Sequence, residues 1–175
     1  MRYLVTASLV AVLIASEARP AAAQDPAAAA RIATDGVEIV TGLMDFDLAG
    51  TGQAMPFVFR VSRSVATRLA LEFDVTMASP DQQFGSSQIL LTEGKASWSW
   101  RIGRVRPFVS GGGGVMAQNM LTEIRWRPTF TGGGGARIGI TDNLYAIAEM
   151  RLRGISTDFS ASTAEWLGGV GWRLR

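Results

Sequence analysis

Residues 126–153 read WRPTFTGGGGARIGITDNLYAIAEMRLR, and the period of this stretch decides the fold. Trp126, Pro128, Phe130, Gly132, Gly134, Ala136, Ile138 and Ile140 put an apolar or small residue at every second position. Arg127, Thr129, Thr131, Gly133, Gly135, Arg137 and Gly139 stand between them. Thr141, Asp142 and Asn143 then supply turn chemistry, because Asp and Asn side chains bond their own backbone and tolerate turn geometry. Beyond the turn the alternation resumes, with Leu144, Ala146, Ala148, Met150 and Leu152 against Tyr145, Ile147, Glu149, Arg151 and Arg153. A period of two means strands whose successive side chains point to opposite faces. The arms of this β-hairpin are long. Globular strands run about 5–6 residues, whereas strands that cross a bilayer need about 9–11.

The same period extends outward in both directions. On the N-terminal side it predicts strands over residues 37–44, 55–62, 68–77, 88–100 and 105–116. On the C-terminal side it predicts one more, over residues 164–175. The hairpin itself supplies 126–140 and 144–153. Tight turns are expected near Ser64, Ile102 and Asp142. Polar connections of around ten residues are expected at 45–54, 78–87, 117–125 and 155–162, where Gly, Pro, Asp and Ser gather. Eight consecutive antiparallel strands predict an all-β, up-and-down barrel over residues 35–175, an architecture that leaves no exposed sheet edge.

The beginning of the chain has a different character. Arg2, an apolar run from Leu4 to Ala15 and the Ala21-Ala22-Ala23 stretch before Gln24 read as a secretory signal peptide over residues 1–23. Residues 24–34 are Ala-rich with one Pro and read as a periplasmic lead-in. No later segment reaches the roughly 18 apolar residues of a membrane-spanning helix. Without Arg2, Glu17 and Arg19, the 17 basic and 15 acidic residues become 15 and 14. That balance carries no electrostatic footprint for nucleic acid. The absence of cysteine excludes a disulfide scaffold and a lipid anchor through Cys.

Which face of the barrel is outside follows from the tryptophans and the charges. Trp98, Trp100, Trp126, Trp166 and Trp172 all fall on the apolar face and toward strand ends. With the N-terminus in the periplasm, Trp98, Trp100 and Trp172 are expected near the periplasmic rim, and Trp126 and Trp166 near the outer rim. Two aromatic girdles around an apolar band suit a transmembrane barrel. The opposite face takes Glu38, Arg60, Glu72, Asp74, Glu93, Lys95, Arg106, Arg127, Arg137, Glu149, Arg151, Arg153, Glu165 and Arg173. An Arg or Lys facing mid-bilayer lipid costs about 2–4 kcal/mol, so this sorting fixes the register of each strand. Inside the barrel, Glu72, Asp74, Glu93, Glu149 and Glu165 are expected to neutralise some of Arg60, Lys95, Arg106, Arg137, Arg151 and Arg173. A secreted, soluble, lipocalin-like barrel is the alternative for the same alternation.

The segments RPFVSGGGGV (106–115) and ARIGITDNLYAIAEMRLRG (136–154), with the eight amphipathic strands, resemble the small outer-membrane β-barrels of the OmpA/OmpX/OmpW type. The resemblance implies an eight-stranded transmembrane barrel in the outer membrane of a Gram-negative bacterium. Gly169, Trp172 and Leu174 also resemble the C-terminal signal read by the barrel-assembly machinery, although the chain ends in Arg175 rather than Phe. Outer-membrane lipid and that machinery are the partners so implied.

For function, the absence of histidine is the sharpest restriction. The general base of Ser-His and Asp-His hydrolases is missing, as are cysteine nucleophiles and His/Cys metal sites. Carboxylate-only chemistry through Glu72, Asp74, Glu93 or Glu149 stays open, but inward carboxylates beside many arginines are far more often structural ion pairs, and no catalytic, cofactor or metal residues are assigned. An eight-stranded barrel has an interior just wide enough for side chains to fill. The sequence thus predicts a non-enzymatic barrel with a structural, envelope-integrity or surface-interaction role, with a narrow conduit for small or apolar solutes as the alternative. Two glycine runs, Gly111, Gly112, Gly113, Gly114 and Gly132, Gly133, Gly134, Gly135, lie on consecutive strands. They are expected close to register in the outer half of the wall, either to permit curvature or to form a thin patch that receives a partner. Gly111, Gly113, Gly132 and Gly134 are expected to face lipid.

Overall fold

The computed structural model describes residues 35–46, 52–80, 88–120, 123–156 and 161–174. The signal-peptide and lead-in expectations, residues 1–34, lie outside them. The described chain forms eight strands: β1 (Gly36–Phe46), β2 (Gly52–Ser64), β3 (Leu69–Pro80), β4 (Gln88–Ser99), β5 (Val105–Met120), β6 (Glu123–Gly139), β7 (Leu144–Ile155) and β8 (Ala161–Arg173). Each pairs antiparallel with its sequence neighbours, and β1 pairs with β8, which closes the barrel.

All the strands but β4 are longer than the sequence pattern implies. Asp45 and Phe46 continue β1, Gly52 to Ala54 open β2, and residues 117–120 and 123–125 continue the hairpin of β5 and β6. These segments look like loops by composition. A neighbouring strand nevertheless offers each of them a ladder of donors and acceptors, and that pairing outweighs weak local propensity.

One end of the barrel carries both sheet termini and three tight turns; we call it the turn end. In the first turn, Val65 and Ala66 donate to the Leu69 carbonyl, and Ser64 N donates to Asp35 Oδ1. In the second, Ile102 bridges to Val105, with Gly103 at a φ of 62°. In the third, Leu144 N donates to Thr141 Oγ1 and Thr141 N to the Leu144 carbonyl. The opposite end is the loop end.

Polarity in this barrel is inverted relative to a soluble one. Ile39, Phe57, Leu71, Phe73, Met77, Val109, Phe130, Met150 and Val170 are among the large apolar residues exposed on the outer wall. Glu38, Arg60, Glu72, Asp74, Glu93, Lys95, Glu149, Arg151, Arg153 and Glu165 are buried inside. A lipocalin-like barrel would place its apolar residues inward, so the soluble alternative does not fit this distribution. All five tryptophans face outward and are exposed. Trp98, Trp100 and Trp172 lie at the turn end, and Trp126 lies near the loop end beside Ala117. Trp166 sits deeper than a rim position: it pairs with Met150 and Leu43, part-way down β8.

Candidate functional site: a charged interior beneath an apolar plug

At the loop end the interior is apolar. Met44, Ala54, Ala78, Ile89, Leu91, Met116 and Ile155 form one buried cluster, with Phe46 packed against it. They come from the loop-side ends of β1 to β5 and β7, whose inward positions turn from charged to apolar there.

Below this plug lies the charged layer, built by direct cross-strand pairing. Glu38 faces Arg60, Arg60 faces Asp74, Glu72 faces Lys95, and Arg151 faces Glu165. Opposite charges directly across a strand pair are favourable. Asp74 also stands opposite Glu93, so the layer holds together only because cations reach in from other strands.

Arg60 is the hub. Its Nε and Nη2 donate to the two Asp74 oxygens at 2.8 and 3.1 Å, a bidentate fork. Its Nη1 donates to Glu38 Oε2 at 2.8 Å, and its Nη2 to Glu149 Oε2 at 2.7 Å. Arg137 bridges Glu38 and Glu72, donating from Nε at 2.6 Å and from Nη2 at 2.8 Å, while its guanidinium lies over the Phe108 ring. The Tyr145 hydroxyl donates to Glu38 Oε1 at 2.9 Å. Lys95 Nζ is 2.8 Å from Asp74 Oδ2. Arg151 Nη1 is 3.2 Å from the same oxygen, and its Nε donates to Glu149 Oε1 at 3.2 Å. Arg153 forks onto both Glu93 oxygens at 2.8 Å and also donates to Glu165. Thr129 Oγ1 donates to Glu93 Oε1 at 3.0 Å.

Six carboxylates and five cations are thus interlocked, with Arg60, Glu38, Glu72, Glu149 and Glu165 fully buried at the side chain. The individual partners do not follow from the sequence, although every member of the layer, Glu38 and Arg153 included, stands on the inward face that the alternation predicts. The expected Arg106 and Arg173 lie apart from this layer, in a cleft at the turn end. Arg127 is half-buried near the loop end of β6.

The glycines explain how so many long side chains fit. Both runs straddle the middle of the wall and are staggered; they share one pair, Gly111 with Gly132, and diverge from it. The inward-facing members stand opposite the largest charged residues: Gly112 opposite Lys95, Gly114 opposite Glu93, Gly133 opposite Arg151 and Gly135 opposite Glu149. A Cβ on Gly112 or Gly114 would come within 2.7 Å of the Cα of Lys95 or Glu93, and one on Gly135 within 2.8 Å of Glu149 Cα. Of the outward members, Gly132 would meet nothing within 4 Å and Gly111 only the Thr131 carbonyl at 3.7 Å, whereas Gly113 and Gly134 would come within 2.8 and 2.9 Å of the Thr129 and Phe108 carbonyls. The two runs are therefore not one bare patch. An inward Cβ would meet the backbone of the neighbouring strand first, and at Gly112 and Gly133 also the Lys95 and Arg151 side chains at 2.9 and 3.3 Å, a close approach that the sequence pattern does not disclose.

A closed eight-stranded antiparallel barrel, apolar outside and filled with paired charges inside, has the fold of the small outer-membrane β-barrels. Among solved structures it is similar to Neisserial surface protein A, NspA, at 12% identity and a TM-score of 0.67, covering 79% of this chain and 96% of that one. It is also similar to the N-terminal β-barrel domain of Pseudomonas aeruginosa OprF, at 18% identity and a TM-score of 0.60, covering 81% and 99%. A third similar structure is the outer membrane enzyme PagL, at 11% identity and a TM-score of 0.56, covering 78% and 99%. Neither a protein-family model nor a curated protein matches the sequence.

Proposed function

We propose that this chain is a non-enzymatic outer-membrane barrel, closed to solutes, that serves the structure of the envelope or an interaction at its surface. The observation that carries the reading is the interlocked charge layer under an apolar plug. Five cations and six carboxylates share the interior of an eight-stranded barrel, and each carboxylate is tied to an arginine rather than free to act as a base. The apolar exterior with outward tryptophans supports residence in lipid, and the C-terminal pattern of Gly169, Trp172 and Leu174 supports delivery by the assembly machinery. With the signal peptide over residues 1–23, the turn end faces the periplasm and the loop end the exterior.

The test is conductance. Protein folded in detergent, which should migrate differently in heated and unheated gel samples, is inserted into planar bilayers. No stable conductance steps are expected. Reproducible steps from the wild-type protein would replace this reading with the narrow conduit, and monodisperse folded protein without detergent would remove the membrane reading altogether.

A further inference from the structure

At the turn end the charge arrangement changes. A cleft of about 250 Å³ opens there, lined by Arg101, Arg104, Arg106 and Arg173, with Asp142 as the acid among its described lining residues. The positive charges of Arg173, Arg101 and Arg137 bear on Arg106.

The cleft is tied together by backbone bonds. Gly139 N donates to the Arg104 carbonyl at 3.0 Å and so fastens the 101–104 turn to β6. Arg173 N donates to the Asn143 carbonyl at 2.7 Å and so fastens β8 to the 140–143 turn. The Arg173 side chain is itself positioned: its Nη1 donates to the Asp142 carbonyl at 2.8 Å, and its guanidinium stands over Tyr145. Its Nε is buried with no hydrogen-bond partner among the described residues.

We infer that this cleft binds a phosphate group. Guanidinium forks match phosphate oxygens bidentately, and four of them in one cleft are held together at lowest cost when an anion lies between them. The volume falls below the roughly 300–1,000 Å³ of pockets for drug-sized apolar ligands and suits a compact headgroup or ion. Two sources offer this chemistry: free phosphate in the compartment the turn end faces, and the headgroup of a phospholipid in the adjoining leaflet. Arg101 and Arg173 directly follow Trp100 and Trp172 in the chain, and both tryptophans face outward at the rim. Tryptophan in such positions sits at headgroup level, which brings a lipid phosphate within reach.

The experiment uses the full chain folded in uncharged maltoside micelles. The two probes are inorganic phosphate and short-chain phosphatidylglycerol, followed by the arginine Nε–Hε resonances. Saturable shifts of the Arg173 and Arg106 signals are expected in the millimolar range or below. Arg106→Gln with Arg173→Gln should weaken binding on the order of tenfold or more, whereas Arg68→Gln, an exposed arginine on the same rim outside the cleft, should not. Saturation by phosphate alone identifies a soluble anion as the source; saturation only by the lipid identifies a headgroup. If the double variant loses its heat-dependent gel shift, Arg101→Gln with Arg104→Gln, both exposed on the turn, takes its place. Failure of both probes to saturate overturns the inference. So does an equal loss in Arg68→Gln, which would mean that any positive rim attracts the anion.

Discussion

In the middle of the barrel each arginine of the charged layer meets at least two carboxylates. At the turn end four arginines line a cleft whose described residues include a single aspartate. The two regions use the same side chain on adjoining levels of one sheet, yet the interior layer is drawn from seven strands, whereas the cleft is built largely on turns and strand ends. β5 contributes no charge to the layer and supplies Gly112 and Gly114 instead. The contrast shows that an inward arginine in a barrel is not a role in itself. Where carboxylates face it across the strands it is a structural cross-link; where turns bring arginines together it becomes a receptor for an anion.

Removing the hub should separate the two regions most sharply. Arg60→Met leaves Glu38, Asp74 and Glu149 without their shared partner, and breaking a buried pair from one side costs about 3–5 kcal/mol. Urea unfolding in micelles, followed by tryptophan fluorescence, should show a lower midpoint or no assembly at all. An Arg60→Met protein no less stable than Arg104→Gln would erase the distinction between core and cleft.

A smaller effect sharpens the account of the glycines. Gly135→Val forces a side chain against the backbone of Glu149 and should lower stability by about 1–3 kcal/mol, as overpacking does. Gly132→Val points outward into open space and should be neutral or stabilising. The reverse order in the same unfolding assay would mean that the inward glycines do not make room for the charges.

Smaller again is Tyr145→Phe, which deletes one hydrogen bond to Glu38 and should cost about 1 kcal/mol. At the bottom of the scale, Arg101→Gln and Arg104→Gln alter exposed side chains and should stay within about 0.5 kcal/mol of wild type. A larger loss from either, read as a shifted midpoint, would make the cleft a structural element rather than a site.

The face of almost every residue was legible in the sequence, because a one-residue slip would have put Arg151 or Arg153 into the apolar wall. Strand ends were not. Gln118 and Arg125 are polar and sit where a loop is expected, yet they pair with each other across the hairpin. Pairing is a property of two strands, and a local reading sees one. The same limit hid the charge partners: Arg60 and Glu149 are 89 residues apart, and only the curvature of the closed sheet brings them together. The offset of the glycine runs follows from the short β5–β6 connection, while their purpose depends on which residues of β4 and β7 lie across from them. The cleft escaped notice because Arg106 and Arg173 alternate like the interior charges, whereas Arg101 and Arg104 lie in a turn that has no period.

The interlocked layer also constrains how such a barrel can come into being. The first four strands bring two cations and four buried carboxylates to it, and the last four bring three cations and two carboxylates. Each half-sheet is therefore electrically incomplete, the first with a surplus of −2 and the second of +1. Four ion pairs cross from one half to the other: Arg60 to Glu149, Arg137 to Glu38 and Glu72, and Arg153 to Glu93. A partly assembled sheet entering lipid would carry uncompensated charge on its concave side, with nothing there to neutralise it. Insertion and closure are thus thermodynamically coupled, and the barrel has no stable halfway state: its two halves are counter-ions of each other.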